Sequence, residues 1–176
     1  IKEEAEKIID DIRKSGIIVS EVKKGSRIKK PLPPFTTSTL QQEASKYLNL
    51  TAQKTMMIAQ QLYEGVDIKG EGTTGLVSYI RTDSVRISDD AYEDIKSFIG
   101  ENYGEKYNSP QRVIYKSKNK AQDAHEAIRP SYISKTPDSI KDSLTKEQYK
   151  LYKLIWERAV AGQMAPAEYE TQSISI

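Results

Sequence analysis

The chain has no cysteine, and its one histidine is His125. The first absence excludes disulfides and thiolate-held metals within the chain and fits a reducing compartment. The second excludes a multi-histidine metal site. No apolar run approaches the ~20 residues that cross a bilayer. The opening residues, Ile1 to Ile12, are too charged for a secretory signal. A Walker-type phosphate loop is also missing, because the glycines at 70, 72 and 75 lack the lysine that motif requires. No acidic cluster marks a magnesium site, and neither an internal repeat nor a low-complexity tract is present.

The 176 residues suit one domain, or one domain with part of a second. A hydrophobic share of 37% against a charged share of 30% supplies a core and argues against global disorder. A net charge of +2 is only a faint pointer to a polyanionic partner. The chain starts with Ile rather than Met, and it ends in an alternating run, Glu168 to Ile176, with nothing after it to pair with. Both features read as a piece of a longer polypeptide.

Ile1 to Ser15 is predicted to be an amphipathic helix, with Ala5, Ile8, Ile9 and Ile12 at helical spacing and Gly16 as C-cap. Ile17 to Val22 reads as a strand and the basic Lys23 to Lys30 as a turn. Pro31-Leu32-Pro33-Pro34 is a stiff linker, and a domain boundary is placed there. Ser38 to Leu48 and Thr51 to Glu64 form two helices joined by a tight turn, a helix-turn-helix outline that is architectural more often than DNA-binding. Gly65 to Gly75 reads as a loop and Gly75 to Arg81 as a strand. Ser88 opens a helix to Tyr103, with Asp89 and Asp90 in its first turn. A short strand at Val113 to Tyr115 and a helical turn at Ala121 to Ile128 follow. Thr145 to Met164 is the strongest helix, with a capping box from Thr145 and Gln148 and an apolar face of Tyr149, Tyr152, Ile155, Trp156, Ala159 and Val160. The fold class is α+β and mainly helical: a helical domain inserted between strands of a β-rich neighbour.

Two segments could carry chemistry. On a strand from Gly75, Val77, Tyr79 and Arg81 would share one face, and Leu76, Ser78 and Ile80 the other. A phenol ionises only near pH ~10, so a neighbouring guanidinium that favours phenolate and holds phosphate suits phosphoryl chemistry. The plain alternative is a strand tyrosine with an arginine stacked beside it, and spacing alone favours that. In Ala124-His125-Glu126-Ala127-Ile128-Arg129-Pro130, beside Lys116, Lys118 and Lys120, His125 is either a phosphate or proton-transfer group or a surface histidine in a turn. Glu126 and Arg129 read as a local ion pair. Lys23, Lys24, Arg27, Lys29 and Lys30 are equally a solvated edge or a nucleic-acid patch. Met56 and Met57, like the aromatics Tyr149, Tyr152 and Trp156, are core candidates.

Taken in order, several of these segments resemble type IA DNA topoisomerases of the bacterial topoisomerase I kind. They are Pro33 to Gln42, Thr55 to Glu64, Gly75 to Ser84, Ala124 to Pro130, and Gln163-Met164 with Pro166-Ala167. The resemblance runs from about residue 31 to 170, and residues 1–30 follow it in pattern only. It implies that Tyr79 is the nucleophile, Arg81 the group that positions the scissile phosphate, His125 a helper by contact or proton transfer, and Asp83 a support. It implies cleavage of single-stranded or underwound DNA through a 5′-phosphotyrosine, religation without ATP, and relaxation of negative supercoils. It also implies a winged-helix-like tyrosine domain at residues 35–165, with residues 1–34 and 166–176 as segments of a β-rich arch and a hinge near Phe35 to Ser38. The expected cofactor is Mg2+, with ligands in a TOPRIM domain elsewhere in the polypeptide and none in this chain. The expected partners are DNA and the remaining domains, with no membrane, in a bacterial cytoplasm at the nucleoid. On that basis this chain alone is expected to be inactive. The topoisomerase III and reverse gyrase branches are alternatives within the family. Outside it, the rivals are a non-catalytic helix-turn-helix module that binds duplex DNA and a structural domain with Tyr79 in its core.

Overall fold

The computed structural model describes residues 2–16, 18–115 and 125–176. Ile1, Ile17, the lysines at 116, 118 and 120, and Ala121 to Ala124 lie outside the described residues, together with the readings made on them. The chain divides into two compact units: Ile1–Lys29 with Ala167–Ile176, and Lys30–Pro166.

The smaller unit holds helix α1 (Lys2–Lys14) and strand β1 (Glu21–Lys29), which pairs antiparallel with the final strand, Ala167–Ser175. The register runs from Glu21 opposite Ser175 to Lys29 opposite Ala167. The predicted strand therefore lies too early, and the basic stretch read as a turn is the strand itself. Val22 and Ile28 do not set its position; nine consecutive pairings to a distant segment do. Lys23, Arg27 and Lys29 alternate onto one face of this ribbon, and Lys23 pairs with Glu21 at 3.0 Å.

The larger unit is built on helices α2 (Thr37–Leu48), α3 (Ala52–Glu64), α4 (Asp89–Tyr103) and α5 (Lys146–Ala161). α5 is the central post. Its Leu151, Tyr152, Ile155, Trp156, Ala159 and Val160 are buried, while Tyr149 stays half-buried with its hydroxyl on Asp138. The Thr145–Gln148 capping box closes its start in both directions, and α2 begins with the same device from Thr36 and Thr39. Asn49 ends α2 in the left-handed region, and Thr51 caps α3 by accepting from the Lys54 amide at 3.2 Å. Leu40, Ala44, Ile58, Leu62, Ile95 and Ile99 complete the shared core. Met56 is half-buried against it; Met57 is not a core residue but points outward at 49% exposure.

Three further expectations change. The glycine-rich loop after α3 is a tight antiparallel hairpin, β2 (Val66–Ile68) against β3 (Gly72–Thr74), whose turn uses positive φ at Gly70 and Gly72. Val113 to Tyr115 is not a strand; Tyr115 instead donates its hydroxyl to Gly162 O at 2.8 Å. Residues 125–128 are extended rather than helical, with Ile128 bridged to Phe35.

Phe35 itself is fully buried, with the Arg158 guanidinium 4.3 Å from its ring centre, and Arg158 pairs with Glu43 at 3.1 Å. Phe35 and Thr36 are thus built into the core of the larger unit.

Gly75 marks where the hairpin returns to the core. A Cβ there would lie 2.8 Å from the Tyr63 carbonyl oxygen. Gly75→Ala is expected to destabilise the unit by about 1–3 kcal/mol through backbone displacement. Urea denaturation checks this, and an unchanged midpoint would contradict the close approach.

Candidate active site

The segment after Gly75 is extended but is not a sheet strand. Val77 makes one isolated bridge, to Pro130. Leu76 takes part at both ends: its amide donates to Leu62 O at 2.7 Å, and its carbonyl accepts from the Ser131 amide at 2.9 Å. Beyond that, side-chain hydroxyls replace a ladder. Ser78 donates its amide to Arg129 O and its hydroxyl to Ala127 O, and it accepts from the Arg129 amide, at 2.9, 2.8 and 3.0 Å. The Thr37 hydroxyl lies 2.8 Å from Ile80 O and 3.1 Å from Thr82 O, and it accepts from the Thr82 amide at 2.9 Å. The Thr82 hydroxyl takes the Ser84 amide and the Ser84 hydroxyl takes the Arg86 amide, at 3.0 and 3.1 Å. Such local bonds compete with ladder pairing, which explains why this run is not a strand.

Tyr79 sits between the two anchored residues. From there the chain alternates: Ile80, Thr82 and Ser84 are buried, while Tyr79, Arg81 and Asp83 are exposed. The sequence reading holds for Tyr79 and Arg81 on one side, but Val77 is buried with Leu76 rather than facing outward with them. Tyr79 is 45% exposed, so it is not the core tyrosine of the structural alternative. Among the described residues its hydroxyl has no hydrogen-bond partner, and Arg81 and Asp83 form no ion pair.

His125 comes to the same place from the other side of the chain. Its ring centre lies 6.0 Å from that of Tyr79. The backbone behind it is stitched to the tyrosine segment and to the start of α2: the Ala127 amide donates to Arg86 O and the Ile128 amide to Phe35 O, both at 2.8 Å. Glu126 and Arg129 form the ion pair read from their spacing, at 2.6 Å. Burial opposes ionisation of Glu126, but hydrogen bonding from Ser88 and the Arg129 charge outweigh it and hold the carboxyl below its ordinary value of 4.5. Tyr63, which the sequence reading passed over as the end of α3, packs edge-on against Tyr79 at 5.6 Å. The signal for it was weak: a tyrosine in the last helical turn before a hairpin that leads straight to Tyr79.

Among the described residues no three His, Asp or Glu side chains gather to hold a metal ion. No described helix is long and apolar enough to cross a membrane. On α3, Lys54 is paired with Glu147 at 2.9 Å and Gln61 with Gln148 at 3.1 Å, both on α5.

The larger unit thus presents an exposed tyrosine beside a histidine on a segment pinned by side-chain hydroxyls. The comparisons place the chain among the type IA topoisomerases. The chain matches the family described as DNA topoisomerase over residues 1–176 and belongs to that family. It is similar to full-length topoisomerase I from Thermotoga maritima, at 41% identity and a TM-score of 0.82, over 96% of this chain and 26% of that one. It thus spans about a quarter of the length of that enzyme.

Two outcomes follow from the site's construction. The lowered Glu126 carboxyl contributes stability that is full above pH 4.5 and is lost as pH falls through its lower folded value. Glu126→Gln should therefore show a smaller drop in melting temperature than the parent between neutral pH and acid below that value; equal drops would contradict the assignment. Thr37→Val leaves the Thr82 amide without its acceptor and is expected to cost about 1–3 kcal/mol in chemical denaturation. A neutral result there would mean that the clamp does not hold the segment.

Proposed function

We propose that this chain is the tyrosine-bearing part of a type IA topoisomerase that cuts and reseals single-stranded or underwound DNA. The observation that carries the reading is the exposed Tyr79, fixed through its neighbours and flanked by His125 and Arg81. The Tyr79 oxygen attacks a DNA phosphodiester and loses its proton. The new bond joins the tyrosine to the 5′ phosphate, and the bond to the 3′ oxygen breaks. That oxygen takes up a proton and leaves as a 3′ hydroxyl. Religation is the reverse attack. The phosphotyrosine keeps the energy of the broken bond, so no nucleotide need be consumed, and relaxation of negative supercoils can proceed downhill.

Arg81 holds the scissile phosphate through charge-assisted hydrogen bonds and favours the phenolate. His125 contacts the same phosphate or carries the proton, and Asp83 has a supporting role in binding the DNA. Residues 1–34 and 166–176 are segments of a β-rich arch, and residues 35–165 are the swinging tyrosine domain. Magnesium binds to acidic residues of other domains of the polypeptide. The chain alone is therefore inactive, and the complete enzyme works on DNA in the bacterial cytoplasm, at the nucleoid. The engagement of α3 with α5 disfavours the alternative of a helix-turn-helix that reads duplex DNA.

The test compares the complete enzyme with its Tyr79→Phe form on a 3′-labelled single-stranded oligonucleotide with magnesium, resolved on a denaturing gel. A labelled protein adduct is expected from the parent alone. An adduct that persists in the Phe form, or none from either, would move the reading to a non-catalytic DNA-binding module.

A further inference from the structure

Tyr63 lies beside the proposed nucleophile and takes no part in the scheme above. We infer that Tyr63 is a positioning residue: its ring, packed edge-on against Tyr79, restricts the Tyr79 side chain to the orientation that meets the scissile phosphate. The inference rests on Tyr79 being the nucleophile.

The two rings lie 5.6 Å apart at 67°, within the range in which aromatic pairs attract through their quadrupoles. Their mounts differ. Tyr63 is in the last turn of α3, next to the fully buried Leu62, with its carbonyl against Gly75. The Leu62 carbonyl also receives the Leu76 amide at 2.7 Å, which ties the end of α3 to the start of the tyrosine segment. Tyr63 is therefore carried by a regular, well-anchored element. Tyr79 is carried by an irregular one, is 45% exposed, and has no hydroxyl partner among the described residues. Backbone clamps at Ser78 and Thr37 fix where the Cα of Tyr79 sits but leave its χ1 and χ2 free, and a neighbouring ring removes that freedom. His125, at 6.0 Å, is the second ring in contact. The Tyr63 hydroxyl likewise has no hydrogen-bond partner among the described residues, which assigns the role to the ring rather than to the oxygen. Because Tyr63 is 39% exposed, stacking on a DNA base is the competing use of the same ring.

The two uses separate kinetically. Positioning acts on the rate of adduct formation with DNA saturating, and stacking acts on affinity. The complete enzyme, Tyr63→Leu, Tyr63→Phe and Tyr79→Phe are compared on a single-stranded oligonucleotide with magnesium, measuring Kd and the single-turnover rate of adduct formation. Tyr63→Leu is expected to form adduct about three- to tenfold more slowly at saturation, with Kd within about twofold of the parent, and Tyr63→Phe to match the parent. If Tyr63→Leu does not fold, Tyr63→Met replaces it as the ring-free variant. An unchanged rate in the ring-free variant, a weakened Kd with a parental rate, or a Phe variant as slow as the ring-free one each overturns the inference. No adduct from the parent itself overturns the nucleophile reading, and the inference with it; an adduct from the parent and not from Tyr79→Phe, with Tyr63→Leu at full rate, overturns the inference alone.

Discussion

The hydroxyl clamp on residues 78–86 is the constraint on which the site depends. A reactive side chain must be exposed, yet its backbone must not drift, and a sheet strand would ordinarily meet both needs. Here the segment has almost no ladder. Ser78 and Thr37 take its place on either side of Tyr79, one reaching to Ala127 and Arg129, the other to Ile80 and Thr82. These bonds hold three stretches far apart in sequence: the start of α2, the tyrosine segment and the residues after His125. Each bond contributes modestly, but each buried amide left without its acceptor would cost more than the bond is worth, which makes the set act together.

That clamp explains the division between polar and apolar side chains. Ile80, Thr82 and Ser84 face the core and satisfy neighbouring amides, so the outward positions are free to carry a phenol, a guanidinium and a carboxylate without a role in folding. Other tyrosines are spent differently: Tyr152 is buried with its hydroxyl on Lys135 O, and Tyr115 bridges to Gly162. The rings that approach Tyr79 come from a helix end and from the His125 segment; the first is tied to the tyrosine segment through Leu76 and the second through Ala127, while Ile128 is tied to Phe35.

Local signals were legible wherever the physics was local. Thr145 with Gln148 announced α5 because a capping box is read from adjacent residues, and the acidic Asp89 and Asp90 announced the first turn of α4, although Ser88 before them makes no side-chain capping bond. β1 was displaced because its limits follow from pairing with Ala167–Ser175, which no window of sequence contains. The hairpin at residues 66–74 hid behind its glycines, since the residues that permit a sharp turn also mark irregular loops. At the site, period-two alternation identified Tyr79 and Arg81 as exposed neighbours but misplaced Val77, which is buried and bridged to Pro130, because the run is not a regular strand. Nothing in spacing brings His125 or Tyr63 to Tyr79; the family resemblance suggested the first, and the second is visible only in the fold.

The most direct test of the account is to find which oxygen carries the DNA. The complete enzyme is trapped on a single-stranded oligonucleotide, treated with nuclease and then trypsin, and its peptides are sequenced by mass spectrometry. The expected result is a residual nucleotide joined through its 5′ phosphate to Tyr79, within the tryptic peptide that ends at Arg81. A nucleotide on any other tyrosine, or joined through a 3′ phosphate, would contradict it.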